Sequence, residues 1–340
     1  MCPRRVATLL ATALAPVAMG MTCDHRTKVE PLGGRDVDPE VLALLDAHDG
    51  GLDGSGEADG SGEGSGEPAL TAADCDLTGV WGIRQLAFNQ DDIIGSIQAS
   101  SEWHLVTFED RGDEVVATRE SFCGVQVSGS ATVELVPEAL PTALHANRWD
   151  GRRGTFAPVG ARCELTLEPF YIALGVDPAR YLPTETDPWP RMADLAASMP
   201  LPTAESPDGA QDWDGDGVPG VAFRVSGAVN GRRNAVQRFW YRYYSTADGG
   251  YEVAGNASAF VVRAEVETEE HLIAVEGCDP FCGLLSAGSS VAPGKAHRVY
   301  FERLGRDEAE AEATGVVVAG DELESCFRLQ EHMPHDPRAR

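Results

Sequence analysis

Asn234-Ala-Val-Gln-Arg-Phe-Trp-Tyr-Arg-Tyr-Tyr-Ser245 is the stretch on which the fold turns. It is dense in aromatic and β-branched residues. Read with the two-residue period of a strand, it places Arg238, Trp240, Arg242 and Tyr244 on one face and Phe239, Tyr241 and Tyr243 on the other. One face has to turn inward. If Phe239, Tyr241 and Tyr243 fill a core, the Arg238, Trp240, Arg242 and Tyr244 face looks outward and can stack on a sugar or grip an anion, with Arg232 and Arg233 in the preceding turn. The alternative is Arg-aromatic stacking that does no more than cover a sheet face.

Strand patterns continue on both sides. Downstream they run through Tyr251–Glu267, His271–Val275 and His297–Leu304, with Asp248-Gly249-Gly250 as a hairpin turn, and Gly220–Ser226 lies just upstream. Earlier, Val80–Phe88, Trp103–Phe108, Glu114–Val127 with a bulge, and Ala131–Val136 form a predicted meander. Arg162–Leu167 and Phe170–Leu174 extend it, with Pro169 as the break. Arg306–Ala313 reads as an exposed acidic loop or short helix. Residues 177–219 change character: prolines recur from Pro178 to Pro219 around one short helix candidate, Arg191–Met199. A long irregular connection inside a compact domain tends to be functional or to join two halves.

The expected fold class is therefore all-β. Antiparallel meander sheets form one large unit or two paired barrel or sandwich units, a lipocalin-like form among them, with few short helices. The expected division is a first half at 71–176, the connection at 177–219, a second half at 220–330 and a frayed tail at 331–340.

Residues 1–22 carry Arg4, Arg5 and no acid ahead of the apolar run Val6–Met21, the pattern of a secretory signal peptide. Ala18-Met19-Gly20 offers an ordinary cleavage pattern, while Cys23 stands where a lipoprotein carries its acylated cysteine, behind a poor lipobox. Both outcomes stay open. Residues 23–70 form an acidic Gly/Ser/Glu tether, and about 20 such residues span roughly 25 Å, enough to hold a domain clear of a membrane. The expected location is exported: periplasmic, outer-membrane-anchored or extracellular.

The formal charge of −27 repels nucleic-acid phosphate and anionic lipid surfaces. That excludes a nucleic-acid role and leaves membrane attachment only through a lipid at Cys23. Cys75, Cys123, Cys163, Cys278, Cys282 and Cys326 form an even set for an oxidising compartment. Six cysteines allow 15 connectivities, and sequence does not choose among them. Cys278-Asp-Pro-Phe-Cys282 has no second nearby pair, so a disulfide-closed turn suits it better than zinc.

Asp212-Trp-Asp214-Gly-Asp216-Gly217-Val-Pro-Gly220 is the sharpest local motif. Alternate aspartates converge on one point, as calcium requires of its oxygen ligands. The second half of an EF-hand is missing, because the twelfth residue is Phe223 and the chain enters a strand. If Ca²⁺ binds, Asp212, Asp214, Asp216 and the Val218 carbonyl supply part of the shell, and Asp208, Glu205 or water completes it. An Asx-type turn is the rival reading.

This aspartate motif, followed by Val-Ala-Phe-Arg-Val and by Val236-Gln237-Arg238, resembles secreted proteins and lipoproteins of uncharacterised function in large-genome Gram-negative soil bacteria. Cys75-Asp-Leu-Thr-Gly-Val-Trp81 and Phe301-Glu302-Arg303 are its other marks, over residues 75–328 in outline. Leu77-Thr78-Gly79-Val80-Trp81 also resembles the Gly-x-Trp opening of lipocalins. That resemblance implies a Trp at the base of a barrel covered by an Arg from a late strand, Arg303 or Arg328.

Gly-x-Ser-x-Gly and His-Glu-x-x-His are both absent. His104, His145, His271 and His297 are scattered, and nothing in the sequence chooses among them. The expected function is a non-catalytic exported β-protein that binds a small or glycan-like ligand. Two alternatives stay open: a hydrolase using paired carboxylates, and a surface adhesion or structural protein.

Overall fold

A computed structural model describes residues 70–335 apart from 92–96, 113, 130, 185–188, 228, 246–252, 254, 256, 280–281 and 286–288. The expected signal peptide, Cys23, the expected tether up to residue 69 and the turn expected at Asp248 lie outside the described residues. The described chain falls within one compact unit.

That unit is mostly antiparallel β-sheet with a few short helices. Its strands are β1 (Gly79–Asp91), β2 (Ile97–Asp110), β3 (Val115–Ser128), β4 (Ala131–Leu135), β5 (Arg148–Trp149), β6 (Arg152–Val159), β7 (Arg162–Leu167), β8 (Phe170–Leu174), β9 (Val221–Gly227), β10 (Gly231–Tyr244), β11 (Ala259–Glu276), β12 (Ser289–Val291) and β13 (His297–Gly305). The helices are α1 (Leu140–Ala146), α2 (Pro178–Tyr181), α3 (Met192–Ser198), α4 (Cys282–Leu285), α5 (Glu308–Ala313) and α6 (Glu322–His332).

The two predicted halves share one sheet. Pairing runs β11-β13-β1-β2-β3-β4-β9-β10, and β10 pairs back onto β11, so the sheet is ring-like. A second route joins the same long strands: β3 pairs β6, β6 pairs β7, and β7 reaches β10 at Tyr244. Between the two routes, the edge of β3 takes β5 and the edge of β10 takes β8. Asn147 lies just ahead of β5. Its side chain donates to the Ala173 carbonyl and accepts from the Ala173 amide, both at 2.8 Å, so it satisfies the β8 backbone as a neighbouring strand would.

The inner face carries the main core, which includes Trp81, Ile83, Val106, Phe122, Phe170, Tyr241, Tyr243, Phe260 and Phe301. The inward direction expected for Tyr241 and Tyr243 is observed, with both fully buried. Tyr251–Glu267 and His271–Val275 read as separate strands in the sequence, but 259–276 is one strand of 18 residues. Its acidic run has the look of a break, yet β10 supplies the counter-charges. Glu269 pairs with Arg238, and Glu270 pairs with Arg233 and accepts from Gln237.

Outside the ring, α6 packs over β2 and β3. Asp321 caps its N-terminus by accepting from the Glu324 amide at 3.0 Å. Gly82 permits this approach, since a Cβ there would sit 2.6 Å from Leu329 Cδ1. Cys123–Cys326 ties the helix to β3; the other pairs are Cys75–Cys163 and Cys278–Cys282. The frayed tail is a correction, at least to residue 335. Met333 is buried, the Trp103 indole donates to its carbonyl at 2.7 Å, and Arg84 donates to the Pro334 carbonyl. The sequence pattern hid this because the partners of the tail lie about 230 residues away.

Candidate functional site

Two bulges shape the inner face of β3. Its register with β2 shifts between Trp103 and His104 and again between Thr107 and Phe108. Each shift inserts a residue, so Ala117, Glu120, Phe122 and Val125 are all buried on a strand whose simple alternation would turn some of them out. From β2, Glu102 and His104 project to the same side as Val106. Gln85 of β1 stands opposite Glu102, β6 begins with Arg152, and β10 contributes Tyr241 and Tyr243. Five strands, three of them consecutive and β6 and β10 distant in sequence, thus place seven polar side chains within the ring, and each of these residues is at most 5% exposed.

The cluster has one closed pair and one open carboxylate. Arg152 donates to both oxygens of Glu120, from Nε at 2.8 Å and Nη2 at 3.0 Å, a bidentate geometry. Its guanidinium lies 4.4 Å from the Phe170 ring centroid and 5.3 Å from that of Tyr243. His104 sits between the acids, with Nδ1 3.7 Å from Glu120 Oε1 and Nε2 4.0 Å from Glu102 Oε2. Phe122 and Phe170 meet its ring edge-on.

Glu102 receives the Tyr241 hydroxyl on Oε1, but its Oε2 has no hydrogen-bond partner within the protein. The same holds for His104 Nε2, Arg152 Nη1 and the Tyr243 hydroxyl, while Gln85 interacts with Tyr241.

Burial dominates the electrostatics. It pushes the Glu102 pKa up to about 7, against a smaller lowering by the Tyr241 hydrogen bond. The same desolvation, aided by the positive charge of Arg152, drives His104 down to about 3, so the imidazole is neutral at pH 7. Glu120 is raised by burial and lowered by Arg152. Tyr241 and Tyr243 are held well above the ordinary tyrosine range, first by burial and then by the neighbouring carboxylates.

The four residues expected on an outward binding face are placed differently. Arg238 and Trp240 are 0% and 2% exposed, because Tyr181, Leu182 and residues 189–199 of the connection lie over them. Arg238 donates to the Tyr181 carbonyl at 2.8 Å and the Met199 carbonyl at 3.2 Å, and it pairs with Glu269. The guanidinium of Arg191 stacks 4.1 Å from the Trp240 ring centroid. Only Arg242 is exposed and Tyr244 half-buried, so these four positions do not make one accessible surface. The connection had to be held down, and the first half of this face is what holds it.

The aspartate loop does converge. Asp212, Asp214 and Asp216 bring carboxylate oxygens within 4.8 Å of one another, and Asp208 stands outside the group. Asp212 already accepts the amides of Gly215 at 2.8 Å, Asp216 at 3.2 Å and Gly217 at 2.8 Å. Asp216 accepts the Val218 amide at 2.7 Å. Arg232 of β10 lies on Asp214 and Asp216, at 2.9 Å from the latter. This is a turn with its own cation. Calcium here would have to displace the Arg232 guanidinium and gather further oxygens.

Arg303 is the arginine that covers Trp81. Its guanidinium lies 4.7 Å from the Trp81 ring centroid, and the indole donates to the Leu77 carbonyl at 2.8 Å. Arg328 instead pairs with Glu324 on α6. On the outer face, a cleft of about 100 Å³ between β3, β4 and α6 is lined by Gln126, Glu134, Arg224, Phe327 and Gln330, apart from the inner cluster.

Comparison of the chain with protein-family models, with curated proteins and with solved structures finds no match in any of the three.

Proposed function

We propose that this chain is an exported, non-catalytic binding protein that takes a small polar molecule into the interior of its ring-like sheet. The observation that carries the reading is the group of buried, unpartnered polar atoms around Glu102 and His104. Leaving such an atom unsatisfied costs about 1–3 kcal/mol, and four of them at one place, Glu102 Oε2, His104 Nε2, Arg152 Nη1 and the Tyr243 hydroxyl, call for hydrogen-bonding partners from outside the protein. Export is supported by the signal-like start, the acidic composition and three disulfides.

The test is thermal unfolding and native mass spectrometry of the disulfide-intact chain against a panel of small polar compounds. Saturable stabilisation that is lost in Gln85→Leu and in His104→Phe is the expected result. A panel without one stabilising compound, together with a high-resolution structure whose interior holds only water, overturns the proposal.

A second reading draws on the same cluster. Glu102 and Glu120 flank His104, and a carboxyl with its pKa near 7 is suited to general-acid catalysis. Turnover of aryl glycosides that vanishes in Glu102→Gln would favour this hydrolase reading over the binding one.

A further inference from the structure

When Glu102 is ionised, the charges around it do not balance, and the imbalance points to the charge of a ligand. Around Glu102 stand Gln85 from β1, His104 from its own strand, Glu120 from β3, Arg152 from β6, and Tyr241 and Tyr243 from β10. Arg152 is the cation among them, and its two hydrogen bonds commit it to Glu120. His104 Nε2, at 4.0 Å from Glu102 Oε2, is beyond hydrogen-bond reach. Glu102 therefore has a hydroxyl on one oxygen and no counter-charge on the other. The neighbouring side chains are aromatic: Phe170 lies 5.2 Å from Tyr241 and 5.3 Å from Tyr243, centroid to centroid.

We propose that the interior binds a small primary or secondary amine, its ammonium group seated on the free oxygen of Glu102 and its body against the aromatic rings of Phe170 and Tyr241. This deepens the binding reading above and rests on it. An ammonium supplies the missing positive charge, makes charge-assisted hydrogen bonds to the carboxylate and gains attraction from the ring faces. An anionic ligand would add a third negative charge beside Glu102 and Glu120. A neutral ligand would leave the lone carboxylate as it stands.

Isothermal titration of the disulfide-intact chain with butylammonium and benzylammonium, their alcohol isosteres and butyrate tests this. At pH 8 an ammonium probe is expected to bind at least tenfold more tightly than its alcohol. Glu102→Gln should abolish that preference while the variant melts no lower than wild type, and Glu102→Asp should retain it. Because the carboxyl must be ionised, ammonium affinity should fall about tenfold from pH 8 to pH 6. Alcohol or butyrate binding as tightly as ammonium, or an undiminished preference in Glu102→Gln, refutes the amine assignment and leaves interior binding standing. Failure of all the probes to bind counts against both.

Discussion

Replacing Glu102 by Gln should make the protein more stable at alkaline pH and change little in acid. The unfolded carboxyl loses its proton near pH 4.5, whereas in the folded protein burial holds the pKa up to about 7. Folding therefore favours the protonated form. That contribution is fully present below pH 4.5 and is lost as pH rises through 7. A displacement of two to three pH units at 1.36 kcal/mol each amounts to about 3 kcal/mol. The amide of the variant would have no such proton to lose and would keep the Tyr241 hydroxyl as a hydrogen-bond donor.

The opposite dependence comes from His104. Its pKa is lowered to about 3, so its contribution grows as pH rises from 3 to about 6.5. It is common to both proteins and cancels in their difference. Urea unfolding followed by tryptophan fluorescence, with disulfides intact, should show the variant gaining about 3 kcal/mol on wild type between pH 4 and pH 8. A difference constant across that range would mean that Glu102 is solvated or paired, and the electrostatic reasoning about the interior would fall with it.

Three further perturbations address other parts of the molecule. Arg238→Met strips the Tyr181 and Met199 carbonyls and Glu269 of their shared donor; we expect a loss of about 2 kcal/mol and faster limited proteolysis within 177–203, and unchanged cleavage there would show that the connection is held by other contacts. Arg232→Gln removes the cation on Asp214 and Asp216. Its melting temperature in EDTA should drop below wild type and be restored by millimolar calcium, whereas no calcium response in either protein would end the metal reading of the loop. Opening Cys123–Cys326 by a double Ala replacement releases a closed loop with a sequence separation of 203, worth up to about 5 kcal/mol by chain entropy. An unchanged denaturation midpoint would mean that α6 packing alone fixes the C-terminus.

The strands were legible wherever apolar alternation was strong. Arg162–Leu167 and Phe170–Leu174 are observed at the expected bounds, and the inward turn of Tyr241 and Tyr243 follows from period two. Misreadings came where a charge was satisfied from far along the chain. The acids at 267–270 look like a turn until Arg233 and Arg238 of β10 are set beside them. The Arg238–Trp240 face looks like a binding surface until the proline-rich connection is laid over it. Glu322, for which the sequence offers no partner, likewise pairs with Arg119 and Ser121 about 200 residues away.

The interior cluster was illegible for a related reason. His104 is one of four histidines with no local distinction, and Glu102, two residues before it, has the ordinary look of a strand acid. What singles them out is the pair of bulges in β3 that lets Glu120 and Phe122 face inward along with Ala117 and Val125, and the arrival of Arg152 from the second route around the ring. A bulge within Glu114–Val127 was legible, but not its position or its doubling, and the arrival of Arg152 leaves no local pattern at all. One signal was available. Glu102, His104, Val106 and Phe108 share one face of a strand on which Trp103 and Leu105 occupy the other. A strand apolar on both faces is buried on both, so its Glu and His must be buried too. Buried acids call for partners: Arg152 answers Glu120, and the second oxygen of Glu102 is left without one within the protein.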